Sequence, residues 1–242
     1  MLLLLPPSET KRDGGSGAPL ELPALSFGEL TGARRTALAA LAKLSRSIRS
    51  SSDALGLGPT QRFEIDRNRA VRSSPTMPAI ERYTGVLYEP LAELTDAERA
   101  FAAGHVAIAS ALFGLVGSAD PIPAYRLSHD SRLPELSLRR HWRAPVSAAV
   151  AAHNGLVLDL RSESYAALGP APDATYLRVV SEGEGGRRVA LSHFNKHAKG
   201  QFTRAVIAAG IVHDDVDSLL GWAHGHGLRL EPGRSGELDL VV

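Results

Sequence analysis

The chain opens Met1-Leu2-Leu3-Leu4-Leu5-Pro6-Pro7, four consecutive leucines closed by two prolines. A run this short and this apolar reads as a buried first strand, and the prolines end it because they cannot continue a hydrogen-bonded ladder. A second run, Leu156-Val157-Leu158-Asp159-Leu160, follows the helix-stop pair Asn154-Gly155 and also reads as a buried strand. With amphipathic helices between such strands, the pattern predicts an α/β fold: one mixed-sheet domain with surrounding helices, over residues 1–242. The opening run lacks a positive leading segment and is too short for a signal core or a membrane span. No later apolar stretch nears the roughly 20 residues a spanning helix needs, so we expect a cytoplasmic protein with no membrane partner.

With 242 residues, 44% of them hydrophobic, the chain can bury one good core. Its formal net charge is only +1, so an anionic partner must be met by local clustering of cations rather than by overall basicity. The absence of cysteine excludes a disulfide framework, a cysteine-ligated metal site and a thiol nucleophile.

Gly14-Gly15-Ser16-Gly17 has a composition that predicts a mobile loop. Leu38, Leu41, Leu44 and Ile48 recur at helical spacing, which predicts a helix from Leu30 to about Ile48 whose arginines and Lys43 form a basic exterior. Thr95-Asp96-Ala97-Glu98 has capping-box form, and the alanine-rich run after it predicts a central helix to about Leu115. Further helices are expected from about Leu138 to Asn154 and from Asn195 to Ala209. Tyr176–Val180 with Val189–His193 reads as a hairpin, and Leu228–Leu230 with Leu238–Val242 as two strands about a turn.

Three constellations carry candidate chemistry. At 100° per residue, Lys196, Lys199, Gly200, Thr203 and Arg204 share one side of their helix, with Ala198, Phe202, Ala205 and Ala209 opposite, so one face is cationic and the other core. Gly200 costs that helix about 1 kcal/mol relative to Ala, which points to a ligand or another backbone close above it. Leu55-Gly56-Leu57-Gly58, between two short helical segments, resembles a helix-hairpin-helix element over residues 38–72, in which backbone amides at Gly56 and Gly58 face phosphates. Arg62, Arg67, Arg69 and Arg72 add charge nearby. The third set is the polar residues at element ends around Tyr83, Tyr88, Tyr125, Arg126, Ser162 and Tyr165, which, with Lys11, are placed to converge where an α/β sheet forms its binding crevice.

There is no phosphate-binding glycine loop, no nucleophile elbow and no clean dinucleotide fingerprint. His193 and His197 are four apart and His224 and His226 two apart, but the His-Glu-x-x-His context is missing, so no metal or cofactor is assigned. Asp159, Ser162 and Lys196 remain candidates for an acid–base or nucleophilic set.

Read in order, Pro7-Ser8-Glu9-Thr10-Lys11, Tyr83 to Leu91, Ser110 to Val116, Asp120 to Leu127, Leu160 to Tyr165 and Asn195 to Arg204 resemble the YaaA family of peroxide-stress proteins, in the flavour of high-GC bacteria. The resemblance implies a fold peculiar to that family, a positively charged cleft, binding of double-stranded and branched DNA, and protection during peroxide stress linked to lower free iron. Carried over residue by residue, it places Lys11, Tyr83, Tyr88, Tyr125, Arg126, Ser162, Tyr165, Lys196, Lys199 and Arg204 in the cleft, and Gly56 and Gly58 in the hairpin. The chain departs from the family where Lys196-His197-Ala198-Lys199-Gly200 replaces a basic pair and Ala-Arg-Gly, and where Ser128 stands for an acidic residue. We expect a monomeric DNA-binding protein. The alternative is an enzyme acting on a small phosphorylated or nucleotide-like ligand in the same cleft.

Overall fold

The computed structural model describes residues 1–182, 188–190 and 195–242. Strand β1 (Leu2–Leu5) is the first element, and Leu3, Leu4 and Leu5 are wholly buried. Three helices follow, α1 (Thr31–Leu44), α2 (Ile48–Leu55) and α3 (Phe63–Arg69), then strand β2 (Met77–Pro78) and the short helix α4 (Ala79–Arg82). Helix α5 (Asp96–His105) leads into β3 (Val106–Ser110), β4 (Gly114–Gly117) and β5 (Pro121–Ile122). Helix α6 (Leu138–Ala151), β6 (Val157–Asp159), α7 (Glu163–Ala166) and β7 (Thr175–Glu182) come next. The chain ends with β8 (Arg188–Ala190), α8 (Asn195–Ala209), α9 (Val216–Gly225), β9 (Leu230–Pro232) and β10 (Glu237–Val241).

The main sheet runs β4-β3-β1-β6-β7-β10-β9, and β8 pairs with β7. Strands β3, β1, β6, β7 and β10 are mutually parallel, and β4, β8 and β9 pair antiparallel to their neighbours, which makes the sheet mixed. Counted among themselves in chain order, the five parallel strands lie 2-1-3-4-5. The chain leaves β1 toward β3 on one side and later returns to lay β6 on the other. The crevice beyond the carboxyl ends of β1 and β6 is therefore the place where such a sheet binds ligands.

Several expectations hold locally. Thr95 and Glu98 form the capping box, with the Thr95 amide donating to Glu98 Oε2 at 2.7 Å. Helix α8 spans Asn195–Ala209 and stops at Gly210, whose φ is 62°. Strands β9 and β10 form the expected closing pair. For the β7–β8 hairpin, the turn was expected at 182–186: Glu182 is the last residue of β7, and 183–186 and the expected strand end at 191–193 lie outside the described residues.

Other expectations need correction. The helix through Leu115 ends at His105, and residues 106–117 form the β3–β4 hairpin. An all-apolar run has no period, so a buried strand mimics a buried helix there. The hairpin turn is held by Ser110 Oγ, which accepts from the amides of Leu112 at 3.2 Å and Phe113 at 2.9 Å. The helix from Leu30 breaks after Leu44, because Ser47 starts α2 by accepting from the Ser50 amide at 3.2 Å.

Arg34 is not on a basic exterior but fully buried, donating to the carbonyls of Phe113 at 3.0 Å, Ser26 at 2.7 Å and Leu115 at 2.6 Å. The glycine-rich loop is stapled rather than free. Buried Arg82 donates to the carbonyls of Arg12, Gly14, Pro75 and Ile122, and Gly17 bridges Thr76. Helix α9, begun by Asp215 accepting from Ser218 N at 2.8 Å, was not anticipated. Among the described residues no helix is long and apolar enough to cross a membrane.

Candidate functional site

A cleft of about 660 Å³ opens at the carboxyl ends of β1 and β6. One wall is the segment Pro6–Thr10 that leaves β1, and another is Leu160 to Tyr165 leaving β6. Thr84 to Tyr88 form a third wall, and Asn195, Lys196 and Lys199 from the first turns of α8 close it, with His129 nearby. Ser162 and Ser164 are exposed at its edge, while Tyr165 is buried with its ring edge-on to His129 at 5.3 Å. Of the residues expected in the cleft, Tyr88, Ser162, Tyr165, Lys196 and Lys199 line it.

Helix α8 does not present a solvated cationic face. Lys199, Gly200 and Thr203 are as buried as Phe202, and Lys196 is exposed. The side chain of Lys199 folds back onto the end of β6, and its Nζ donates to the Leu160 carbonyl at 3.0 Å over the Tyr176 ring, 5.0 Å from its centroid. Burial pushes its pKa down to about 8, against an opposing pull from Asp159. Gly200 has a backbone above it, not a ligand: a Cβ there would run into the Leu87 carbonyl. Arg204 turns away from the cleft to Glu98 of α5 at 2.7 Å.

Lys11 stands just behind the Pro6–Thr10 wall. Its Nζ donates to the carbonyls of Ser8 at 3.0 Å and Glu9 at 3.3 Å and lies 4.2 Å from the centroid of the Tyr125 ring. Burial pushes its pKa down to about 7, with Glu64 pulling it up and Arg126 pushing the same way as burial. Behind it runs a buried hydroxyl chain, Tyr83 OH to Tyr125 OH at 2.7 Å and Tyr125 OH to Ser110 Oγ at 2.7 Å. Burial pushes Tyr125 up to about 12 and Tyr83 well above its ordinary value, so both stay protonated as donors. Tyr88 OH donates to the Pro6 carbonyl at 2.6 Å, tying two walls together.

Arg126 pairs with Glu9 at 2.6 Å and so neutralises the carboxylate on the cleft wall, and its backbone is held on both sides by Asn68. Ser128, one of the chain's departures from the family pattern, hydrogen-bonds to Asp130, whose pKa that bond lowers. The proposed acid–base set is not assembled. Asp159 is locked in a bidentate pair with buried Arg161, at 2.8 and 2.7 Å, and faces a separate hollow of about 420 Å³ beside Glu163, Tyr176 and Arg178.

In the hairpin, Gly56 adopts φ 62° at the end of α2, and its amide and that of Leu57 both bond Ser52 O. The Gly58 amide donates to Gln61 Oε1 at 3.1 Å, so these donors are already occupied, while Arg62 is exposed. His193 lies outside the described residues, and His226, just after α9, donates from Nδ1 to Trp222 O, 2.8 Å away. Among the described residues no three His, Asp or Glu side chains group as a metal site. Sequence reasoning missed His129, Thr84, Ser164 and Asn195 as cleft residues. Three of them lie inside the matched segments, so proximity to the singled-out residues was the one available signal.

These features define a mixed α/β protein with a lysine-bearing cleft at the carboxyl ends of its central parallel strands. The family described as peroxide stress protein YaaA matches residues 1–232, and the chain belongs to that family. It is 43% identical over 249 residues to a UPF0246 protein of Corynebacterium glutamicum, with the whole of both chains covered. It is 38% identical over 256 residues to a UPF0246 protein of Streptomyces coelicolor, covering 100% of this chain and 98% of that one.

Proposed function

We propose that the protein acts in the peroxide stress response by binding DNA, with phosphate contacts from the α2–α3 segment and from Lys196 at the cleft mouth. The observation that carries this reading is a run of exposed arginines: Arg46, Arg49, Arg62 and Arg72 face solvent, and no ion pair among the described residues engages them. Arg69 donates to Ser45 O at 2.8 Å, so the end of α3 and the end of α1 lie together and these charges belong to one region. Lys11 and Lys199 contribute little to such a surface, because their ammonium groups are already taken by carbonyls. Contacts of this kind read phosphate and carry no base code. In a mobility-shift titration of duplex and branched DNA, Arg49→Ala/Arg62→Ala/Arg72→Ala should lower the log–log salt slope by about three phosphate equivalents. No complex of the wild-type protein at low ionic strength would remove DNA as the partner.

A second reading is favoured by a different observation, the cleft with Lys196, Ser162, Ser164 and Thr84 around it. A space of about 660 Å³ suits a small anionic molecule, not a duplex. Isothermal titration with inorganic phosphate and nucleoside monophosphates tests it, and a Lys196→Ala variant should bind more weakly.

A further inference from the structure

The chain carries 23 arginines and four lysines, Lys11, Lys43, Lys196 and Lys199. Arginine supplies charge almost everywhere, including, among the described residues, three fully buried positions, Arg34, Arg82 and Arg161. Three of the four lysines nevertheless gather at one cleft: Lys196 and Lys199 line it, and Lys11 braces its wall. Arginine cannot lose its proton in a protein, whereas a lysine amine shifts readily when buried, so lysine is the residue that supplies an amine. Lys199 makes no ion pair among the described residues, and its Nζ rests on a backbone carbonyl at the end of β6, the sheet position where reacting groups are held rigidly.

We propose that Lys199 is a carbonyl-reactive amine that condenses with a small aldehyde or ketone whose anionic group is held by Lys196 and the hydroxyls of Ser162 and Ser164. The inference rests on the small-ligand reading of the cleft. The neutral amine adds through its lone pair to the carbonyl carbon, and one amine proton passes to the carbonyl oxygen to give a carbinolamine. The nitrogen lone pair then forms the C=N bond as the hydroxyl leaves with the second amine proton as water. Amine and carbonyl thus give imine and water, with no oxidant or reductant required. The Leu160 carbonyl orients Nζ before attack, and burial keeps a large share of the amine unprotonated near pH 8.

Two sources present this chemistry, a free sugar phosphate and the ring-opened sugar of an abasic site in DNA, and the experiment separates them. The wild-type protein is incubated at about pH 8 with pyridoxal 5′-phosphate, with glyceraldehyde 3-phosphate, or with a duplex bearing one abasic site, then reduced with borohydride and mapped by peptide mass spectrometry. Lys43, exposed on α1, is the internal reference for surface reaction. We expect the adduct on Lys199 in about tenfold or greater excess over Lys43, because an ordinary amine is almost wholly protonated at that pH. Inorganic phosphate should suppress it. Trapping by the abasic duplex but not by the free aldehydes assigns the DNA source, and the reverse assigns a free metabolite.

Lys199→Arg should keep a donor to Leu160 O yet form no adduct. If that variant does not fold, the wild-type map decides alone. Reversible binding of pyridoxal 5′-phosphate with no reducible adduct at Lys199 overturns the amine assignment and leaves the ligand cleft standing, and adducts spread over Lys43 and Lys196 overturn it equally. Absence of any binding overturns both.

Discussion

The Leu87 carbonyl occupies the space above Gly200, so helix α8 and the cleft wall before Glu89–Leu91 touch backbone to backbone at that point. The contact sets the width of the cleft, because Lys196 and Lys199 stand on the same helix and Thr84 to Tyr88 form the facing wall.

Gly200→Ala should therefore destabilise the protein by about 1–3 kcal/mol, the range of overpacking, although alanine favours a helix. Gly221 sits in α9 with open space at its Cβ position, so Gly221→Ala should stabilise by up to about 1 kcal/mol. Urea midpoints of the two variants should move in opposite directions. A shift of the same sign in both would mean that the Leu87 contact does not constrain α8.

Arg161 and Asp159 form a buried pair, and Arg161 also donates to Gly169 O at 3.0 Å. Arg161→Met strands the carboxylate, which should cost about 3–5 kcal/mol. Adding Asp159→Asn to it should restore part of the loss, since the charge is then gone. A double-mutant cycle in urea measures this, and simple additivity of the two changes would refute the pairing as the source.

Arg82 holds the loop from Arg12 to Gly14 through their carbonyls, and Arg12 N returns a bond to Arg82 O at 2.9 Å. Arg82→Met should leave Arg12 and its neighbours free to open, so trypsin should cut after Arg12 well before the rest of the chain is degraded. Equal cleavage rates at that bond in both proteins would show that the arginine is no staple.

What could be read from the sequence was local. Gly210 marked the end of α8, Thr95 and Glu98 marked the start of α5, and the leucines of β1 marked a buried strand, because each signal lies within a few residues of its effect. The burial of Lys199 could not be read in that way. A helical wheel gives angles, but the elements that cover those angles, Glu89–Leu91, α5 and β7, come from far along the chain. The same holds for Arg34 and Arg82, whose residue type signals surface and whose acceptors, Phe113 O and Ile122 O, lie 79 and 40 residues away. Asp159 looked available for catalysis because nothing in Asp159-Leu160-Arg161 says that the arginine folds back over two residues to close the pair.

Burial lowers the pKa of Lys11 to about 7 and of Lys199 to about 8, from an ordinary 10.5. Around Lys11, Glu64 and Glu9 oppose burial and Arg126 and Arg67 reinforce it, and around Lys199, Asp159 and Glu163 oppose it and Arg178 reinforces it. Between these values and about pH 10 the unfolded chain holds more protons than the folded one, so stability should rise with pH across that window. Above about pH 10 the trend should reverse, because Tyr83, Tyr88 and Tyr125 stay protonated when folded while unfolded tyrosines ionise. Urea midpoints at intervals from about pH 7 to 9.5 should thus climb for the wild-type protein. Lys199→Met and Lys11→Met should each flatten the climb, whatever their effect on absolute stability. Lys43→Met, at an exposed site, should leave it unchanged. A slope that survives in both buried-lysine variants would place the titrating groups elsewhere.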